Sequence, residues 1–157
     1  MAKLEIENLA EFKKMVGKPL PVGDWVTVTQ EMINAFADAT LDFQWIHVDV
    51  ERAKKESPFK APIAHGFMSV SLLSKMIEDS IMIKSAVMGV NYGLNKVRFP
   101  HPVAVDSKLR LVGSVLSVED YGDNGKGVKT VWGCKVEIEG VEKPACVGEF
   151  ITLAFEA

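Results

Sequence analysis

Ala64-His65-Gly66-Phe67-Met68-Ser69-Val70-Ser71-Leu72-Leu73 runs for ten residues without an Asp, Glu, Lys or Arg, and charge returns only at Lys75, Glu78 and Asp79. Its length and apolar character predict a helix over 64–83. The helix is apolar nearly all round, relieved by small serines, which predicts one surrounded by protein rather than laid on a surface. No run approaches the roughly 18 apolar residues that cross a bilayer. The enclosure therefore has to come from the protein itself.

C-terminal to this stretch the hydrophobic period changes to two. Segments 87–99, 108–121, 127–138 and 145–155 each suit a long strand, joined by turns at Gly122-Asp123-Asn124-Gly125 and Glu139-Gly140-Val141-Glu142. An antiparallel sheet needs one face covered, and a single apolar helix supplies the cover. The expected class is α+β: a curved antiparallel sheet wrapped around one long buried helix, the hot-dog arrangement. Such a sheet leaves apolar surface on its outer face unless a second copy pairs with it, so a homodimer is expected.

On the N-terminal side, Ile6, Leu9, Phe12 and Val16 recur at helical spacing before Gly17 and Pro19, which predicts an amphipathic helix over 5–16. A short strand follows at 25–29. Thr29 then caps a helix over 30–39, with Glu31 in its first turn and Met32, Ile33, Phe36 and Ala37 as the buried stripe. Segment 51–56 is polar, and Ser57-Pro58 with Ala61-Pro62 marks a loop. No repeat or linker interrupts the chain, so one domain is expected over 1–157.

Composition narrows the function classes. The chain has 157 residues, 48% hydrophobic and 25% charged, with net charge −3 and 18 scattered basic residues. This is a globular composition, and it argues against nucleic acid as a partner. The N-terminus lacks the uninterrupted apolar stretch of a signal peptide, so the expected location is the cytoplasm. Cys134 and Cys146 have no metal-type spacing and read as reduced, buried thiols, with a disulfide open only if they lie side by side on neighbouring strands.

The chemistry centres on Asp42-Phe43-Gln44-Trp45-Ile46-His47-Val48-Asp49. Asp42 and His47 are five residues apart. A strand puts such a pair on opposite faces, and a helix leaves it roughly 140° apart. The two meet only if the backbone bends. A carboxylate and an imidazole that reach one water can orient it, take its proton and return one elsewhere. The ordinary alternative is an Asp capping a turn and a His satisfied by backbone. Asp49 reads either as an orienting partner of His47 or as a cap for 51–56. Gly66, near the helix start, offers a backbone N–H without an intrahelical acceptor to a carbonyl oxygen gaining negative charge, or else simply permits close packing. His65 reads as a residue supporting the site from behind or as a capping residue, and His101, between two prolines, as a turn residue. Lys96 and Arg98 flank Val97 at a strand end, as a solvated end or as cations for a phosphate-bearing ligand.

These residues resemble a known family. Ala39-Thr-Leu-Asp-Phe-Gln-Trp-Ile-His-Val-Asp49, then Pro62-Ile-Ala-His-Gly-Phe67 heading a long helix, is similar to the hydratase-2 signature of MaoC-like dehydratases. Asn91-Tyr-Gly-Leu-Asn-Lys-Val-Arg-Phe-Pro100 strengthens the likeness, which is greatest to the NodN-type branch and covers about 25–155. The resemblance implies a hot-dog homodimer that reversibly adds water, syn, to trans-2-enoyl-CoA, giving (R)-3-hydroxyacyl-CoA, with no cofactor or metal. It places the water-holding roles on Asp42 and His47, the thioester-binding N–H on Gly66 and a positioning role on Gln44, where the family usually has Asn. Lys96 and Arg98 are the candidate CoA contacts, and the thioester carrier is CoA or acyl-carrier protein. Leu41 stands where a glycine often precedes the Asp, and Trp45 where Pro is common. Leu41 keeps open a second reading, an acyl-thioester-binding protein without turnover. A hot-dog thioesterase is a third, opposed by the retained Asp42/His47 spacing.

Overall fold

The computed structural model describes residues 2–157. A five-stranded antiparallel sheet, in the order β2-β5-β6-β7-β4, forms most of the molecule. Its strands are β2 (Val26–Thr27), β4 (Ala86–Arg98), β5 (Lys108–Asp120), β6 (Gly127–Ile138) and β7 (Val141–Glu156). Alternation decides which way each central strand faces. Leu109, Leu111, Gly113 and Val115 of β5 and Val128, Thr130, Trp132, Cys134 and Val136 of β6 are buried, with more exposed residues between them. Each large buried aliphatic here contributes about 1.5–3 kcal/mol of transfer free energy. Gly122, Gly125 and Gly140 close the two hairpins with positive φ, which glycine adopts without steric cost. The curled sheet and the helix it holds make this a hot-dog fold.

The central helix departs from the expected one. It is two segments, α5 (Gly66–Ser71) and α6 (Leu73–Ser80), and Leu72 between them stays in right-handed helical geometry. Hydrogen bonds Leu72 N–H to Met68 O and Met76 N–H to Leu72 O carry one segment into the next. The helix starts at Gly66 and ends at Ser80, because Ile81–Ile83 leaves it as β3 to pair in parallel with β1 (Leu4–Ile6). Nor is it enclosed all round. Met68, Leu73, Met76 and Ile77 join Leu111, Val115, Trp132, Val136 and Phe150 in the core. Phe67 stays 71% exposed, and Val70, Ser71 and Ser74 face β4 across a cavity of about 400 Å³.

The N-terminal helix is also corrected. Residues 5–16 divide into the end of β1, a single turn of α1 (Leu9–Phe12) and a 3-10 turn at Lys13–Met15. Asn8 caps α1 by accepting from Glu11 N–H. Leu9 and Phe12 are buried as the spacing demands, Phe12 packing 5.6 Å from the Trp132 ring. Val16 is exposed, because the 3-10 turn ends at Met15 and Val16 leaves helical geometry (φ −53°, ψ 128°). The helix α2 (Gln30–Thr40) is capped by Thr29 as expected.

Unpartnered apolar surface concentrates on β4, not on the outer face of the central strands. Val87, Met88, Val90, Tyr92 and Leu94 are all exposed there, and β4 pairs only with β7. Cys134 and Cys146 are free and buried. Their ladder partners are Gly148 and Val136, so the thiols are diagonal rather than opposed. That places their Cα atoms roughly 7–8 Å apart, beyond ordinary disulfide reach. Burial raises the thiols to about 12 for Cys134 and about 11 for Cys146. Among the described residues, no helix is long and apolar enough to cross a membrane.

Candidate functional site

The bend demanded by the Asp42/His47 spacing is present. The helix α2 ends at Leu41, which takes the left-handed conformation (φ 61°, ψ 25°) that reverses the chain. For a residue with a Cβ this costs about 1–2 kcal/mol, which explains why a glycine suits the position. The Asp42 side chain then accepts from Gln44 N–H at 3.3 Å, and Gln44 opens the single-turn helix α3 (Trp45–Val48) that carries His47. Asp42, His47 and, in addition, His65 each bring a donor atom within 4.8 Å of the other two.

His47 is 6% exposed, and its ring is held through Nδ1. Its Nδ1–H donates to Ile63 O at 2.6 Å, since a carbonyl can only accept, and Nε2 is thereby left as the free lone pair. Ile63 is held in turn: its N–H donates to Ile46 O, while Ala64 N–H and Pro62 O bond Val103 and Val105. Gln30 of α2 donates from Nε2 to His47 O at 2.8 Å. Burial is the largest influence on the imidazole and pushes it below its ordinary value of 6.5. The Ile63 bond and Asp42 act against that shift, and His65 reinforces it.

His65 is more than a helix cap. It precedes α5, is 3% exposed, and stacks on His47 with ring centroids 3.8 Å apart and planes 22° from parallel. Its Nε2–H donates to the main-chain carbonyl of Asp42 at 3.0 Å, so one ring touches both the Asp42 backbone and His47. Phe36 packs near it at 5.0 Å. By composition the trio is also a metal-donor set. Stacking opposes that use, because imidazole lone pairs lie in the ring planes and two nearly parallel planes do not converge on one ion.

A cavity of about 280 Å³ opens on His47, lined further by Gly66, Ser69, Phe59, Phe99 and His101. Gly66 is the first residue of α5, where the N–H lacks an intrahelical acceptor. Glycine also suits the packing, since a Cβ there would meet the Phe99 ring at 3.0–3.2 Å and that ring would have to shift by a few tenths of an ångström. Close packing against Phe99 is thus one role of Gly66, and its helix-start N–H stands free for another. Asp49 caps α4 (Val50–Glu56) by accepting from Arg52 N–H. Gln44 is exposed and works through its backbone, its O accepting from His47 N–H and its N–H reaching Asp42.

Lys96 and Arg98 are not brought to the cavity. A bulge between Asn95 and Arg98, with Lys96 at φ 52°, breaks the alternation that would put both on one face. Lys96 lines a separate shallow groove with Val112, Leu116 and Glu149. Arg98 turns back to the Val97 carbonyl. His101 stands in a bend between its prolines as expected and also lines the cavity, while Gln30 and Ser69 were not singled out from the sequence. The adjacency of His65 to Gly66 was a usable signal; Gln30 and Ser69 sit in ordinary helical contexts that advertise nothing.

A hot-dog domain whose apolar cavity is lined by an imidazole, with the Asp42 carboxylate close to that ring but outside the cavity lining, defines the class. Comparison with known proteins gives the family. Residues 11–134 match the model described as "MaoC like domain". The chain is 50% identical over 145 residues to 3-hydroxyacyl-thioester dehydratase Z of Mycobacterium tuberculosis, covering 92% of this chain and 94% of that one. It is 42% identical over 147 residues to nodulation protein N of Rhizobium leguminosarum bv. viciae, with 93% and 90% coverage. The fold is shared with R-hydratase PhaJ1 from Pseudomonas aeruginosa at TM-score 0.73 and 24% identity, covering 97% of this chain and 89% of that one. This chain belongs to the MaoC-like dehydratase family.

Proposed function

We propose that the protein is an (R)-specific enoyl-thioester hydratase, adding water reversibly to a trans-2-enoyl thioester to give the (R)-3-hydroxyacyl thioester. The observation that carries the reading is the oriented His47 ring: Nδ1 is committed to Ile63 O, which leaves Nε2 free, and His47 and Gly66 line one cavity. Burial keeps that imidazole neutral at neutral pH, the state a general base needs. Dehydratase Z supports the thioester class by its name.

Asp42 and His47 hold one water against C3 while the Gly66 N–H and the α5 dipole stabilise the enolate-like thioester oxygen. The water oxygen bonds to C3. His47 takes its proton and returns it to C2 on the same face, so one water supplies both atoms of a syn addition and no cofactor is consumed. CoA and acyl-carrier protein are the candidate carriers, and Lys96 and Arg98, which stand outside the cavity, are not assigned a contact with either. The exposed β4 edge and the open side of α5 favour a homodimer.

Incubation with crotonyl-CoA, then with longer enoyl-CoAs, tests the reading through loss of the conjugated absorbance. Asp42→Asn and His47→Ala are expected to lower the rate about 10²–10⁴-fold. Full activity in both variants overturns the site. Saturable binding without hydration across chain lengths favours the binding-protein reading, and release of free thiol the thioesterase.

A further inference from the structure

Three serines are buried in this protein, and two are spent on its own backbone. The Ser57 hydroxyl accepts from Phe59 N–H at 3.1 Å, and that of Ser80 donates to Met76 O at 2.9 Å. Ser71, on the exposed side of α5, also bonds back to the carbonyl four residues earlier. Ser69 is 2% exposed and lies in the same helix, yet among the described residues its hydroxyl makes no hydrogen bond. Its oxygen is not sealed off either, and Ser69 lines the cavity shared by His47 and Gly66. A buried hydroxyl without a partner costs about 1–3 kcal/mol. That cost falls away when an oxygen-bearing group occupies the cavity.

Helix geometry says which oxygen. Ser69 is three residues after Gly66, so the two share a face and are separated by about 4.5 Å along the axis. Helical side chains lean toward the N-terminus, which carries the Ser69 hydroxyl back over the Gly66 turn, where no side chain intervenes. If the Gly66 N–H takes the thioester oxygen, the next polar atom of the acyl group is the one on C3, two carbons further along. We infer that Ser69 hydrogen-bonds the C3 oxygen, the entering water in hydration and the hydroxyl in dehydration, and so selects 3-oxygenated acyl thioesters. This rests on the thioester reading of the cavity. The walls beyond Ser69 (Phe59, Phe99, Val103 and Ala145) are apolar, so no other hydroxyl competes for that oxygen along this side.

The test compares binding of (R)-3-hydroxybutyryl-CoA and butyryl-CoA by titration calorimetry. It uses the wild type and Ser69→Ala, with Ser69→Cys as a variant of matched size. The wild type is expected to favour the hydroxylated ligand about tenfold, and Ser69→Ala to bring the ratio close to one without losing butyryl-CoA affinity. Ser69→Cys should fall between. In turnover, kcat on crotonyl-CoA should drop about tenfold in Ser69→Ala with KM nearly unchanged. A ratio and kcat equal to wild type in folded Ser69→Ala overturn the inference while the thioester reading stands. A wild type that binds neither thioester overturns the thioester reading itself, and the inference with it.

Discussion

The ladder β5–β6–β7 and the corner from Leu41 to Gly66 are built on opposite principles. In the ladder, backbone groups satisfy one another through regular pairs such as Leu111 with Val136 and Trp132 with Phe150, leaving side chains free to pack. In the corner no element exceeds seven residues. Its backbone is satisfied by side chains (Asp42 on Gln44, Asp49 on Arg52, Gln30 on His47) and by distant main chain. Side chains there set geometry instead of filling volume. A change in the ladder should therefore appear as lost stability, and a change in the corner as lost activity.

The largest effect is expected in the ladder. Trp132 is buried, packs beside Phe12 and donates from Nε1 to Thr152 Oγ1 at 2.8 Å. Trp132→Ala should cost about 3–5 kcal/mol by urea unfolding, with any residual folded protein keeping its KM. A cost below about 1 kcal/mol would break the contrast.

Gly66→Ala joins the two regions, because the new methyl meets Phe99. It should cost about 1–3 kcal/mol and reduce hydration together. Pairing it with Phe99→Leu should restore stability more than activity, since space returns while the wall facing the thioester changes. Equal recovery of both would mean that Gly66 serves packing alone.

His47 gives a pH signature. In the proposed general-base role the ring has to be neutral, and burial has lowered its affinity for protons. The kcat/KM plateau should therefore extend below pH 6.5 before falling tenfold per unit, about 1.4 kcal/mol of barrier for each. The same group works on stability. Its folded value lies under its unfolded one, so the unfolded chain binds the proton more readily between the two. Stability should accordingly fall as pH drops through that window. His47→Ala should remove this dependence. An acid limb above pH 6.5 would contradict a desolvated base.

The smallest effect is at Leu41. Leu41→Gly removes the left-handed strain but adds backbone freedom to the unfolded chain, and with the side chain 77% exposed little packing is lost. A net gain of about 0.5–1 kcal/mol in thermal unfolding is expected. Hydration should change little, because the bend already exists.

The long strands were legible because a period of two persists over a dozen residues and burial enforces it. The failures were short or competitive. Residues 5–16 carry a helical pattern, but pairing of Leu4–Ile6 with β3 outweighs it, a long-range term that periodicity does not contain. The apolar run at 64–73 signalled burial correctly, while its open side toward β4 depended on where the sheet ends.

The amino-acid sequence by itself determined the α+β class, the strand segments, the apolar helix and the requirement that the chain bend between Asp42 and His47, because these follow from local periodicity and fixed backbone geometry. Only the tertiary structure decided that His65 stacks on His47 and reaches the Asp42 carbonyl, that Ile63 fixes the His47 tautomer, that Phe99 closes on Gly66, and that Ser69 keeps its hydroxyl open to the cavity. Each of these depends on atoms brought together across 16 to 33 positions of chain or on a partner that never arrives, and a one-dimensional pattern records neither.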